Sequence, residues 1–104
     1  MHTVQKKLSD FVGEIFSKFD YIVFIMATGI VVRSIAPYII SKFSDPAILV
    51  MDEKGKNVIS LLSGHIGGAN SLTQYISSLI DANPVITTAT DINQKASLDM
   101  IAKN

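Results

Sequence analysis

Residues 61–70 read LLSGHIGGAN, and within this stretch Gly64, Gly67 and Gly68 surround His65. An unperturbed imidazole titrates near neutral pH, so His65 is the side chain best suited to take a proton from water. Glycines at this density are costly in regular structure and point to a backbone that needs positive φ or close approach by another group. Just downstream, Leu72, Tyr75, Ile76, Leu79 and Ile80 repeat at i, i+3, i+4, i+7 and i+8, the spacing of one buried face of an amphipathic helix. That helix should open within residues 67–71, aiming its first-turn N–H groups and the positive end of its macrodipole back at the loop. A carboxylate or phosphate suits such a place. Asn70 or Ser71 would serve equally as caps for those donors, and a plain strand-to-helix turn with a backbone-bonded histidine accounts for the same residues. Neither a GxGxxG fingerprint nor a phosphate loop ending in Gly-Lys-Ser/Thr is present.

The elements that must hold this loop are legible in order. Residues 3–19 carry Leu8, Phe11, Val12, Ile15, Phe16 and Phe19 at helical spacing, a surface helix against a core. Residues 21–27, YIVFIMA, are a continuous apolar run and predict a central strand buried on both faces. Thr28 and Gly29 form a turn into a helix over residues 30–40, which Pro37 should kink or restart. Arg33 is the only cation of that region, and its fork of donors fits a carboxylate, although a surface role or a local ion pair fits it too. Residues 47–51 and 57–62 are strand-like runs joined by DEKGK, with Gly55 free to take positive φ, a hairpin signal. The adjacent acids Asp52 and Glu53 read as a solvated hairpin tip. Asn83 and Pro84 stop the helix after the glycine loop, residues 85–89 predict a short strand running into Thr90 and Asp91, and residues 96–102 begin another helix.

Together these elements predict a single domain over residues 1–104, an α/β fold with a small three-layer mixed sheet of about four strands, one hairpin among them, flanked by helices. If residues 21–27 and 47–51 point up, residues 57–62 and 85–89 point down. The glycine loop and TTATD (residues 87–91) then share one end of the sheet, and the Thr28-Gly29 turn and Gly55 share the other.

Composition narrows the function. Of the 104 residues 48% are hydrophobic and 17% charged, enough to bury a core, and the nine basic residues balance the nine acidic ones. No global basic field exists to attract nucleic acid. With no cysteine there is neither a disulfide framework nor a thiolate metal site, which is compatible with a reducing cytoplasm. The opening MHTVQKKLSD lacks the apolar core of a signal peptide. Residues 21–40 are long enough to span a bilayer, but Arg33 near their centre would cost about 2.5–3.5 kcal/mol, and Gly29 and Pro37 interrupt them where soluble folds turn. His2 and His65 lie far apart, so the chain shows no ligand spacing for a metal of its own.

With MATGIVVRSIAPY, DPAILVMDEKGKNVISLL, LLSGHIGGAN and PVITTATD in sequence, the chain resembles the cobalt-precorrin-5A hydrolase family of anaerobic cobalamin biosynthesis from about Leu8 onward. The resemblance implies a cytoplasmic enzyme that opens the ring A acetate δ-lactone of a cobalt-containing corrinoid and releases acetaldehyde, giving cobalt-precorrin-5B. Water is the co-substrate, and no further cofactor is implied because cobalt arrives inside the substrate. Relative to that family the chain lacks the strand region before the first helix and the whole C-terminal domain, so that missing domain or other enzymes of the pathway are the implied partners besides the corrinoid substrate. A non-catalytic corrinoid-binding or interaction module is the alternative.

For such a reaction His65 is the candidate base and the Gly67 and Gly68 amides are candidate oxyanion donors. Asp91, or the hydroxyls of Thr87, Thr88 and Thr90, would orient the imidazole. Ser63 is a less suitable nucleophile because no GxSxG elbow surrounds it. Gly64, Asn70, Thr28, Gly29 and Arg33 complete the candidate contacts to the acetate and propionate arms of the macrocycle.

Overall fold

The computed structural model describes residues 2–88, with side chains from Lys7 onward. In chain order the elements are α1 (His2–Ile15), β1 (Tyr21–Ile25), α2 (Thr28–Ile35), a 3-10 turn at Ala36–Tyr38, β2 (Ala47–Met51), β3 (Asn57–Leu62), α3 (Ala69–Ile80) and β4 (Asn83–Val85). The four strands lie in the order β1-β2-β3-β4. β1 runs parallel to β2, β2 antiparallel to β3 and β3 parallel to β4, the directions expected from the sequence. The expected helix over residues 96–102, together with Thr90, Asp91 and the end of the expected last strand, lies outside the described residues.

Alternation along the strands divides the core between two faces. Ile22, Phe24, Ile48 and Val50 cluster with Val12 and Phe16 of α1 and Val31 and Ile35 of α2. On the other face Ala47, Leu49 and Val58 pack with Ala69, and Leu72 and Ile76 of α3 close over them. The result is the expected three-layer α/β arrangement, with two helices on one side of the sheet and one on the other. Pro37 sits in the first turn of the 3-10 segment, where its missing N–H costs nothing, and so restarts the chain as expected. Gly55 takes φ +67° in the β2–β3 hairpin. No helix among the described residues is long and apolar enough to cross a membrane.

Four expectations need correction. β1 is an edge strand and not a central one: Ile22 and Phe24 face the core, whereas Tyr21 and Ile25 on the opposite face are 53% and 58% exposed. The strand buried on both faces is β2, because α3 covers β2 to β4 and stops short of β1. α1 ends at Ile15 rather than continuing to Phe19, whose ring is exposed. β4 runs from Asn83 to Val85: it begins two residues early, since Pro84 on an edge strand need not donate to a ladder, and residues 86–88 of the expected strand lie past its end.

The fourth correction concerns α3. Its sheet-facing row is Ala69, Thr73 and Ser77, while Tyr75 and Leu79 are 61% and 65% exposed. Small side chains at i, i+4 and i+8 put the helix against the sheet, and Leu72 and Ile76 flank the contact. Among the described residues the buried hydroxyls of Thr73 and Ser77 have no hydrogen-bond partner. Burying an unpaired hydroxyl costs about 1–3 kcal/mol, so Thr73→Val, which keeps the shape, is expected to raise stability by about 1 kcal/mol in chemical denaturation. A lower denaturation midpoint would show that the Thr73 hydroxyl is paired in solution.

Candidate functional site

The chain leaves β3 at Leu62 and turns sharply at Ser63, which adopts φ +60°, a left-handed conformation uncommon outside glycine. The turn closes on itself. The amide of Ala69 donates to the carbonyl of Ser63 at 3.1 Å and that of Asn70 to the carbonyl of Gly64 at 3.0 Å, so the first two helical amides of α3 are spent inside the loop. This departs from an open N-terminus with every first-turn donor available. Gly68 is the N-cap at φ +86° with no side-chain cap, so neither Asn70 nor Ser71 plays that part.

Gly64 and Gly67 are required by contact. A Cβ on Gly67 would lie 2.4 Å from the Ser63 Cβ and 2.8 Å from the Ser63 carbonyl oxygen. On Gly64 a Cβ would lie 2.8 Å from Asn70 Oδ1. The Gly67 and Gly68 amides form no hydrogen bond among the described residues, and they remain available as donors. His65 lies exposed on this same loop.

Asn70 fastens the loop to the sheet. Ser60 Oγ donates to its Oδ1 at 2.6 Å, and its Nδ2 donates to Thr88 Oγ1 at 2.5 Å. The segment after β4 is thereby drawn to the glycine loop, and Thr87 and Thr88 stand exposed at the same sheet end. Ser63, with its hydroxyl bonded to the Asp45 carbonyl at 3.2 Å, is buried, which removes it from the role of a free nucleophile.

Thr28 and Gly29 open α2 beyond the C-terminal end of β1, at the opposite end of the sheet from the glycine loop. Arg33 stands exposed in the last turn of α2 and forms no ion pair among the described residues. The sequence-based candidates therefore divide: Ser63, Gly64, His65, Gly67, Gly68, Asn70, Thr87 and Thr88 gather at one end, and Thr28 and Gly29 do not join them.

Two residues near the loop are not among the site candidates taken from the sequence. Asp45 is buried two residues before β2, and the Asp-Pro pair at 45–46 was its only signal. Tyr21 reaches across from β1, its hydroxyl 3.2 Å from where a Gly68 Cβ would stand. At the hairpin, Asp52 accepts the amides of Lys54, Lys56 and Asn57. Chiefly the Lys56 amide, opposed by some desolvation and aided by those of Asn57 and Lys54, holds its carboxyl below the ordinary carboxylate range. This acid staples a turn. Among the described residues no three His, Asp or Glu side chains gather as they would around a metal ion.

Fold and site together define a small α/β domain that displays a clamped, histidine-bearing glycine loop beyond the ends of two parallel strands. The chain belongs to the family described as cobalamin synthesis G N-terminal, whose profile matches residues 10–91. It is 56% identical over 87 residues to a cobalt-precorrin-5A hydrolase of Salmonella typhimurium, covering 84% of this chain and 25% of that protein. A cobalt-precorrin-5A hydrolase of Priestia megaterium is 47% identical over 89 residues, with 86% of this chain and 24% of that protein covered. The chain thus spans about a quarter of the length of these curated relatives. Among solved structures, a cobalamin biosynthesis protein G homolog from Sulfolobus solfataricus matches with a TM-score of 0.68 at 32% identity, over 88% of this chain and 33% of that one.

Proposed function

We propose that this domain takes part in opening the δ-lactone of cobalt-precorrin-5A, with the glycine loop as the place where the reacting carboxyl group is held. The observation that carries the reading is the pair of Gly67 and Gly68 amides, unbonded among the described residues, on the loop that also exposes His65. Amides fixed by the backbone stabilise a developing oxyanion without reorganising. In this reading His65 accepts a proton from the attacking water, the water oxygen enters the released acetate carboxylate, and the Gly67 and Gly68 amides donate to the carbonyl oxygen as charge builds. The freed hydroxyl then loses its proton, its carbon becomes the aldehyde carbon of acetaldehyde, and the electron pair of the broken carbon–carbon bond passes to the macrocycle. Cobalt stays with the substrate throughout. We place the reaction in the cytoplasm, in keeping with a chain of 104 residues that holds no cysteine.

The span of about a quarter of its relatives favours a second reading, in which this domain grips the corrinoid while another domain contributes to the chemistry. Titrating the chain with cobalt-precorrin-5A while assaying acetaldehyde separates the two. Saturable binding with product release is the expected result for a self-sufficient domain, and binding without product supports the gripping role. No binding at all would overturn both.

A further inference from the structure

We infer that Asp45 is a positioning residue for the glycine loop, acting through Ser63; the functional consequence rests on the reading above, the geometry does not. Asp45 is 8% exposed and carries no cation partner among the described residues. Its carboxylate instead collects backbone donors: the Ile40 amide reaches Oδ1 at 3.1 Å and Oδ2 at 3.0 Å, and the Ser41 amide reaches Oδ2 at 3.1 Å. The Asp45 amide in turn donates to the Ser41 carbonyl at 2.8 Å. Pro46 follows, which confines Asp45 to extended backbone. Held from both sides, its carbonyl group is a fixed acceptor before any ligand arrives.

That carbonyl receives the Ser63 hydroxyl. Ser63 pays for its left-handed backbone with strain, and a buried hydrogen bond at that residue offsets part of it. Gly67 is packed so closely over Ser63 that a Cβ there would overlap it, and the Ser63 carbonyl also anchors the Ala69 amide. Asp45 therefore sets Ser63, and Ser63 sets where the Gly67 and Gly68 amides point. An acid 18 residues upstream of the loop in sequence fixes the loop's aim.

Amide hydrogen exchange on the whole chain tests this, with cobalt-precorrin-5A affinity as a second readout. Asp45→Asn removes one carboxylate acceptor at constant shape, and Ser63→Ala removes only the coupling hydroxyl. Both are expected to speed exchange at Ala69 and Asn70 roughly three- to tenfold, the equilibrium factor for one lost hydrogen bond, while amides of α1 and β1 keep their protection. The double variant should be no worse than the stronger single one. Unchanged exchange at Ala69 and Asn70, or an equal increase at every amide, would overturn the inference by showing an ordinary structural role. If Asp45→Asn does not fold, Ser63→Ala alone decides by the same criterion. Failure of the unaltered chain to bind cobalt-precorrin-5A would count against the proposed function and leave the exchange result to judge this inference.

Discussion

On the proposed function, His65→Ala is expected to lower acetaldehyde release about 100- to 10,000-fold, the range that follows removal of a general base. The imidazole is exposed on a loop whose shape is held by backbone bonds on either side of it, from Ser63 to Ala69 and from Gly64 to Asn70. Turnover and stability are read side by side, so that a lost reaction is separated from a lost fold. Steady-state kinetics beside a denaturation curve gives both numbers. A variant with full turnover would take His65 out of the chemistry, and one with lost turnover and lost stability would make it a structural residue of the turn.

Gly67→Ala is the second large effect, and it works through space rather than chemistry. The added methyl would press on both the side chain and the carbonyl of Ser63, and neither can retreat. The Ser63 hydroxyl is held by Asp45 and its carbonyl by the Ala69 amide. Overpacking of this kind costs about 1–3 kcal/mol, and relief requires the loop to open. Gly29, where a methyl would meet nothing within 4 Å, is the matching control. Chemical denaturation should show a lowered midpoint for Gly67→Ala only, and cobalt-precorrin-5A titration should show weakened binding for it. Equal behaviour of the two variants would mean that the closed loop is not the form present in solution.

Much of the architecture was readable because it rests on local rules. Gly55 between two strand-like runs announced a hairpin, and a hairpin fixes β3 antiparallel to β2 without any knowledge of the rest. The common end of the glycine loop and Thr88 followed from strand directions alone. What the sequence concealed was the non-local part. Residues 21–27 are apolar throughout, and nothing in them says that α3 stops short of one face of β1. On α3, apolar residues marked an amphipathic stripe, yet Thr73 and Ser77 won the contact with the sheet because small side chains let the helix approach. The partners of the loop were hidden for the same reason: Asp45 looks like part of a polar break until the fold brings its carbonyl to Ser63, and Asn70 looks like a helix cap until it is seen bridging Ser60 and Thr88.

The outer margin of β1 carries a practical consequence. Its ladder is unpaired on one side among the described residues, and Tyr21, Val23 and Ile25 lie bare along the same strand. A short, uncharged, β-branched ribbon of this kind is a template on which extended segments of neighbouring molecules can register. Concentrated preparations should gain thioflavin-positive filaments seeded there before any loss of helical signal, which makes dilution and low temperature the first conditions to control when handling the chain.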